Sequence, residues 1–394
     1  VLSINDFEDN YCLNSPNDTV QGTPSGGFFT GLGMNGDIFQ PAIADTGQHV
    51  ISYTYTDSNN CSNFINDTTV VRPLPIIEVL SFGEVCLDTD SLDLTQGSPT
   101  GGNYFGNGVF SGQFNPSTVG LGVHTIYYTY TEPLYGCSDT ASNSILVNPL
   151  PEINLDSIVD VSCFGLSDAA VYITADSGTS PYLYSWSNSS NNQNLIAVDT
   201  GLYSLILTDS KGCVDSVAYT ITQPDSLIAT DSINLFPGSN SISCYGANDG
   251  QVLVDVSGGT QPYSYNWSNG SSAVPLSNVS AGTYVLTVTD DQSCQDTVVA
   301  ILTQPDSLEL YLIADTFAGG YNVSCYGASN GSVTSLVEGG ISGYQFNWSQ
   351  GSNDSIANNL ESETYTLTVT DTNNCTISGS ISLSQPDSIA LPFV

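Results

Sequence analysis

Ten cysteines stand at positions 12, 61, 86, 137, 163, 213, 244, 294, 325 and 375, and their spacing constrains the fold more than any other feature. Taken in consecutive pairs they lie 49, 51, 50, 50 and 50 residues apart, and first members recur after 74, 77, 81 and 81 residues. A chain with that period is a row of small, similar units. With two cysteines per unit, the simplest scheme places one bridge inside each: Cys12–Cys61, Cys86–Cys137, Cys163–Cys213, Cys244–Cys294 and Cys325–Cys375. No Cys-x-x-Cys pair occurs, and two histidines cannot complete zinc sites in five units. Disulfides, and hence an oxidising extracellular location, are the expectation.

Aligned on the cysteines, the units are of two kinds. In the first two, Pro24-Ser25-Gly26-Gly27 matches Pro99-Thr100-Gly101-Gly102, Phe39-Gln40-Pro41 matches Phe114-Asn115-Pro116, and both close on Pro-Leu-Pro at 73–75 and 149–151. The last three share Cys244-Tyr245-Gly246, Gly258-Gly259-Thr260-Gln261-Pro262-Tyr263, Gly282-Thr283-Tyr284 and Gln304-Pro305-Asp306-Ser307. Trp186, Trp267 and Trp348 follow one another at intervals of 81. The expected boundaries are 1–74, 75–151, 152–226, 227–307 and 308–389, with 390–394 opening a further unit. Val1 carries neither an initiator Met nor a basic-then-apolar leader, so the chain reads as a mature piece.

Tyr284-Val285-Leu286-Thr287-Val288-Thr289 alternates larger and smaller β-formers between Gly282 and Asp290-Asp291, which predicts a half-buried strand bounded by turns. Residues 252–256, 263–267 and 298–302 read alike, and no stretch carries a helical stripe. Six or seven strands per unit at this spacing indicate an all-β fold: a tandem array of five immunoglobulin-like β-sandwich domains, with one intradomain disulfide each. A bridge would add about 2–4 kcal/mol to so small a core.

Thirty-nine Asp or Glu face only 2 Lys or Arg, a net charge of -37. Such a surface repels phosphate backbones and anionic headgroups, which excludes nucleic acid and electrostatic membrane docking as partners. No apolar run is long enough for direct membrane insertion. With 40% hydrophobic residues the chain nevertheless has a core to bury and should fold.

Catalytic chemistry finds little support. His49 and His124 occupy one repeat position and read as structural strand residues, and the last three units contain no histidine from which to assemble a nucleophile. Carboxylate pairs abound, but in recurrent turns. The glycine pairs Gly26-Gly27, Gly258-Gly259 and Gly339-Gly340 lack the helix and Lys of a phosphate loop. Tyr263, Tyr265 and Trp267 read as core with the alternative of sugar stacking. No cofactor is expected. Calcium is the one metal with donors on offer, near the unit junctions at Asp156, Asp160, Asp225, Asp231, Asp306 and Asp315, weighed against a solvated acidic surface.

The last three units, over roughly 155–389, resemble the SprB-type repeat of Bacteroidota cell-surface proteins: Cys-x-Gly, a Gly-Gly-Thr-x-Pro-Tyr turn, a Trp strand, Gly-x-Tyr and a second Cys. The third copy departs at Gly343-Tyr344 and at Glu363. The first two units are similar to the Pro-x-Gly-Gly immunoglobulin-like modules that accompany such repeats. The resemblance implies a large secreted protein, exported by the type IX route and used in adhesion or gliding, and no enzyme. The expected function is a non-enzymatic, rod-like segment of a surface fibre or extracellular filament, with neighbouring units or copies as partners. A glycan-binding adhesin module, or a stalk carrying an enzyme outside this sequence, is the alternative.

The triplet Asp-(Ser/Thr)-(Ala/Ile/Leu/Val/Met/Thr) resembles the O-glycosylation signal of Bacteroidota secreted proteins. It occurs 12 times, with acceptors Thr19, Thr68, Ser91, Thr140, Ser157, Ser216, Ser226, Ser232, Thr297, Ser307, Ser355 and Ser388. Composition alone gives about three. Repeat copying and the turn preference of Asp-Ser and Asp-Thr are the competing explanation.

Overall fold

The computed structural model of the protein describes residues 1–389; the further unit expected at 390–394 lies outside them. Every sheet takes its strands from one of five stretches, 3–72, 78–148, 151–221, 228–302 and 309–382, so strand pairing follows the cysteine period. The tandem immunoglobulin-like sandwiches predicted from the repeats are therefore present, and the stretches are termed modules one to five.

Side-chain alternation decides the faces. Along Gly282–Thr289, Leu286 and Val288 point inward and are fully buried, while Val285 faces out. Leu286 is registered against Trp267 on one side and Val298 on the other. Trp267 is the centre of the fourth core, with Ile242, Val252, Leu276 and Leu302 around it. Its indole Nε1 donates to the Ala273 carbonyl at 3.0 Å, as Trp186 does to Asn192 and Trp348 to Asp354. Each indole is thus buried without an unpaired donor. Tyr263 and Tyr265 pack against this core and are not a free sugar platform.

Modules one and two have a four-stranded sheet with one parallel edge strand, Asn10–Cys12 beside Val70–Arg72 and Glu84–Cys86 beside Leu146–Asn148. The Pro-x-Gly-Gly motif has a packing cause. A Cβ on Gly27 or Gly102 would fall 2.4 or 2.5 Å from the Cζ of Tyr53 or Tyr128, and the Gly N–H donates to that ring's hydroxyl. Two four-residue helices, Pro41–Ala44 and Pro116–Val119, are elements that hydrophobic periodicity did not mark. His49 and His124 place Nε2 2.8 and 3.0 Å from the carbonyls of Asp45 and Gly120 just after those turns, the structural role expected of them.

The chain divides into two compact units. One comprises Val1–Ile158, Val171–Leu195 and Leu202–Tyr219; the other Val159–Ala170, Ile196–Gly201 and the chain from Thr220 onward. No helix among the described residues is long and apolar enough to cross a membrane.

The cysteine pairing differs from the expected one. In module one, Cys12 is registered against Arg72, at the end of the strand Ser62–Arg72, whereas Cys61 immediately precedes its start. Eleven residues at ~3.3 Å each separate the two by about 35 Å, several times the Cα spacing a disulfide tolerates. The same polarity holds throughout. Cys163, Cys244 and Cys325 lie beside the module's exit, where Gly165, Gly246 and Gly327 donate to the side chains of Gln223, Gln304 and Gln385. Cys213, Cys294 and Cys375 sit in hairpins before the strands Val214–Ile221, Gln295–Leu302 and Thr376–Ser382. The five bridges Cys12–Cys61, Cys86–Cys137, Cys163–Cys213, Cys244–Cys294 and Cys325–Cys375 are therefore replaced by Cys12–Cys137, Cys86–Cys213, Cys163–Cys294 and Cys244–Cys375, leaving Cys61 and Cys325 as thiols.

Candidate functional site at the module joints

Each bridge joins the first cysteine of one module to the second of the next. Cα separations are 5.4 Å for Cys12–Cys137, 5.5 Å for Cys86–Cys213, and 5.7 Å for both Cys163–Cys294 and Cys244–Cys375. The first two bridges lie within one compact unit and the last two within the other. The bonded cysteines are buried or half-buried, while Cys61 and Cys325 are exposed.

A carboxylate shapes the hairpin that delivers the second cysteine. Asp371 Oδ1 accepts from the N–H groups of Asn373 (2.9 Å) and Cys375 (2.8 Å), and its Oδ2 accepts from Ile341 N–H at 2.9 Å. Asp209 and Asp290 make the same three bonds, to Lys211, Cys213 and Thr179 and to Gln292, Cys294 and Thr260. All three Asp residues are buried, and their satisfied oxygens fix the loop that carries the sulfur.

The residue two before the second cysteine reaches the preceding module. Tyr135 stacks on Arg72, Lys211 Nζ pairs with Glu84 Oε2 at 2.7 Å, and Asn373 Nδ2 donates to the carbonyls of Ser243 (3.0 Å) and Pro237 (3.2 Å). The chain's only two basic side chains, Arg72 and Lys211, are thus both spent on joints. Lys211, then Asn148, hold the Glu84 carboxyl below its ordinary pKa by hydrogen bonding to the charged form. Beside Cys163, the Ser162 hydroxyl and N–H do the same for Asp168.

The second repeat motif also serves the joints. Asp225 and Asp306 of the Gln-Pro-Asp-Ser segments accept through their carbonyls from Gly259 (2.8 Å) and Gly340 (2.9 Å). A Cβ on Gly258 or Gly339 would fall 1.9 Å from the carbonyl oxygen of Ser226 or Ser307. The glycine pairs are seats for the incoming chain.

The six junctional carboxylates do not converge. Asp156 accepts from the Thr174 hydroxyl and Asp160 from Thr222 N–H, Asp315 offers its carbonyl to Asn322, and Asp231 lies within the strand Ile228–Ile233. Among the described residues no three His, Cys, Asp or Glu side chains gather to hold a metal ion. The twelve glycosylation candidates, by contrast, are all exposed. At four of them the preceding Asp bonds the acceptor's own N–H: Asp67 to Thr68, Asp139 to Thr140, Asp215 to Ser216 and Asp296 to Thr297. Asp215 and Asp296 also accept from Ile153 and Ala229 N–H, so part of the triplet's recurrence is structural.

Three stretches, 155–191, 239–272 and 321–353, match the family model described as the SprB repeat. No curated protein matches the chain. Among solved structures it is similar to the N-terminal eight immunoglobulin domains of Down Syndrome Cell Adhesion Molecule, at 10% identity over 98% of this chain and 60% of that one, with a TM-score of 0.31. Sidekick-1 immunoglobulin domains 1–5 give 9% identity over 98% and 99% of the two chains and a TM-score of 0.25. A Ca2+-stabilized adhesin of an Antarctic bacterium gives 13% identity over 77% and 98%, with a TM-score of 0.27. The chain spans about 60% of the length of the first of these.

Proposed function

We propose that this chain is a non-enzymatic structural and adhesive segment of a secreted cell-surface protein, a stalk whose successive modules are bolted to one another by disulfides. The observation that carries the reading is the interlocking of the bridges. Their loops overlap, so every peptide bond from Cys12 to Cys375 lies inside at least one of them. Such crosslinks persist only in oxidising surroundings, which favours a location outside the cell. The three SprB-repeat matches support the same setting. Immunogold labelling with an antibody to this region tests it: label along filaments at the cell surface is expected, and label confined to soluble globular particles would overturn it.

One observation favours glycan binding as a second reading. Phe105 and Tyr127 stack at 5.1 Å and 14° on the outer face of module two, and both are exposed. Module one has Thr30 and Ser52 at the matching positions, so the pair departs from its repeat. Exposed ring faces suit pyranose stacking. A glycan array on which the chain binds, and Tyr127→Ala does not, is the result expected on this reading.

A further inference from the structure

Module five departs from its repeat on the outer face of one sheet. Its strands Glu309–Ala314, Gly331–Glu338 and Ile356–Leu360 pair side by side, and Leu310, Leu312, Val333, Val337 and Ala357 turn inward to the core. Alternation therefore turns Glu309, Tyr311, Ile313, Leu336, Glu338 and Ile356 outward, and all six are exposed. Register sets them in rows: Glu309 opposite Glu338, Tyr311 opposite Leu336, and Ile313 and Ile356 on either side of Thr334. In module four the matching positions, 81 residues earlier, hold Ile228, Thr230, Ser232, Asp255, Ser257 and Pro275. All six differ. The same fold is completed there around Thr, Ser and Asp, so it does not require Tyr, Ile and Leu at those places.

We propose that this face docks an extended segment of a partner protein in which an arginine follows two apolar residues at alternate positions. The inference goes beyond the stalk reading: it gives the adhesive role a surface, and a purely structural stalk would survive its failure.

The carboxylate row calls for the arginine. Like charges directly opposite one another on neighbouring strands destabilise a sheet. Arg72 and Lys211 are the only basic side chains of the sequence and both are engaged at joints, so neither relieves Glu309 and Glu338. The pair also converges on a ring. The Tyr311 hydroxyl donates to Glu309 Oε2 at 2.6 Å, and its pKa is raised by that bond first, then by the Glu309 charge, and by the charge of Glu338 as well. A guanidinium can lie flat on the Tyr311 ring while its edge N–H groups reach the carboxylates, a fit the compact ammonium of a lysine does not offer. Arg72, stacked on Tyr135 with Asn10 Oδ1 at its edge, shows this chain holding a guanidinium in that way.

The apolar rows call for the rest of the segment. Tyr311, Ile313 and Leu336 share a shallow groove with Glu338, so apolar cover and a cation are wanted side by side. Successive rows lie about 6.8 Å apart, the advance of two residues in an extended chain. A second copy is the poorer occupant, because each chain carries a net charge of -37 and both of its bases are engaged.

The test titrates the isotope-labelled whole chain, at low ionic strength, with the peptide acetyl-Leu-Ser-Leu-Ser-Arg-amide and follows the protein resonances by NMR. Shifts at Tyr311, Ile313, Leu336, Glu338 and Ile356 that saturate by millimolar peptide, with module four unmoved, are expected. Binding should weaken at least several-fold when citrulline, which keeps the shape and removes the charge, replaces the peptide's arginine, and likewise in the Glu309→Gln, Glu338→Gln chain. Tyr311→Thr with Leu336→Asp installs the module-four residues, which this fold accepts, and should weaken it as well. Equal binding of the arginine and citrulline peptides, shifts spread over the acidic surface of every module, no shifts at millimolar peptide, or a dimer of the free chain abolished by Leu336→Asp would each overturn the proposal.

Discussion

The guanidinium carbon of Arg72 lies 3.7 Å from the centroid of the Tyr135 ring, across the first joint. Arg72 Nε and Nη2 also donate to Asn10 Oδ1, at 3.0 and 2.9 Å, so the planar cation is held in place before the ring covers it. A double-mutant cycle with Arg72→Met and Tyr135→Leu should return a coupling of about 0.5–1 kcal/mol in thermal or denaturant unfolding. Strict additivity would show that the stacking contributes nothing.

Trypsin has one usable site, Lys211, because Arg72 precedes Pro73 and an Arg–Pro bond resists the enzyme, and the Lys211 side chain is engaged at a joint. Native protein should resist cleavage for hours. When digestion is forced, the pieces 1–211 and 212–394 remain one species on a non-reducing gel, because Cys86–Cys213 and Cys163–Cys294 both span the cut. Separation without reductant would contradict the pairing.

Acid should weaken the second joint. Because the folded state lowers the Glu84 pKa from its ordinary 4.5, the contribution is complete above that value and disappears as pH falls through the lowered one. The stability difference between the chain and Lys211→Met is therefore expected to be level near neutrality and to shrink toward zero in strong acid. A difference that grows on acidification would reverse the assigned sign.

Exposure of all twelve Asp-Ser/Thr acceptors leaves room for O-linked glycans. The mass of native material is expected to exceed that of the polypeptide, with sugar on Ser226 and Ser307 and none on Ser268. A mass equal to the bare chain would dismiss the modification.

The β-class, the module period and the buried tryptophans were legible because strand alternation and repetition are local signals. Trp267 facing Leu286 follows from reading two strands. Disulfide partnership was not legible from spacing, since a constant period gives constant separations whether Cys244 bonds Cys294 or Cys375. The deciding information was polarity. Cys294 opens the last strand of its module and Cys244 lies by that strand's far end, so the strand's own length keeps them apart. Likewise Gly258 and Ser226 each stood out as a repeat, but their 1.9 Å conflict with any added Cβ emerges only in three dimensions. The short helix at Pro41–Ala44 left no periodic trace because four residues make barely one turn.

Overlapping crosslinks change what happens when such a chain is pulled. Tension entering at the amino end crosses from Cys12 to Cys137, runs the short way to Cys163, and crosses again to Cys294; from there it doubles back to Cys244 and leaves through Cys375. Most of the polypeptide hangs off that route in closed loops that carry no force. If a sandwich opens under drag, only the backbone between crossings can pay out, so an appendage made this way would lengthen far less than an uncrosslinked chain while its β-structure melts and re-forms.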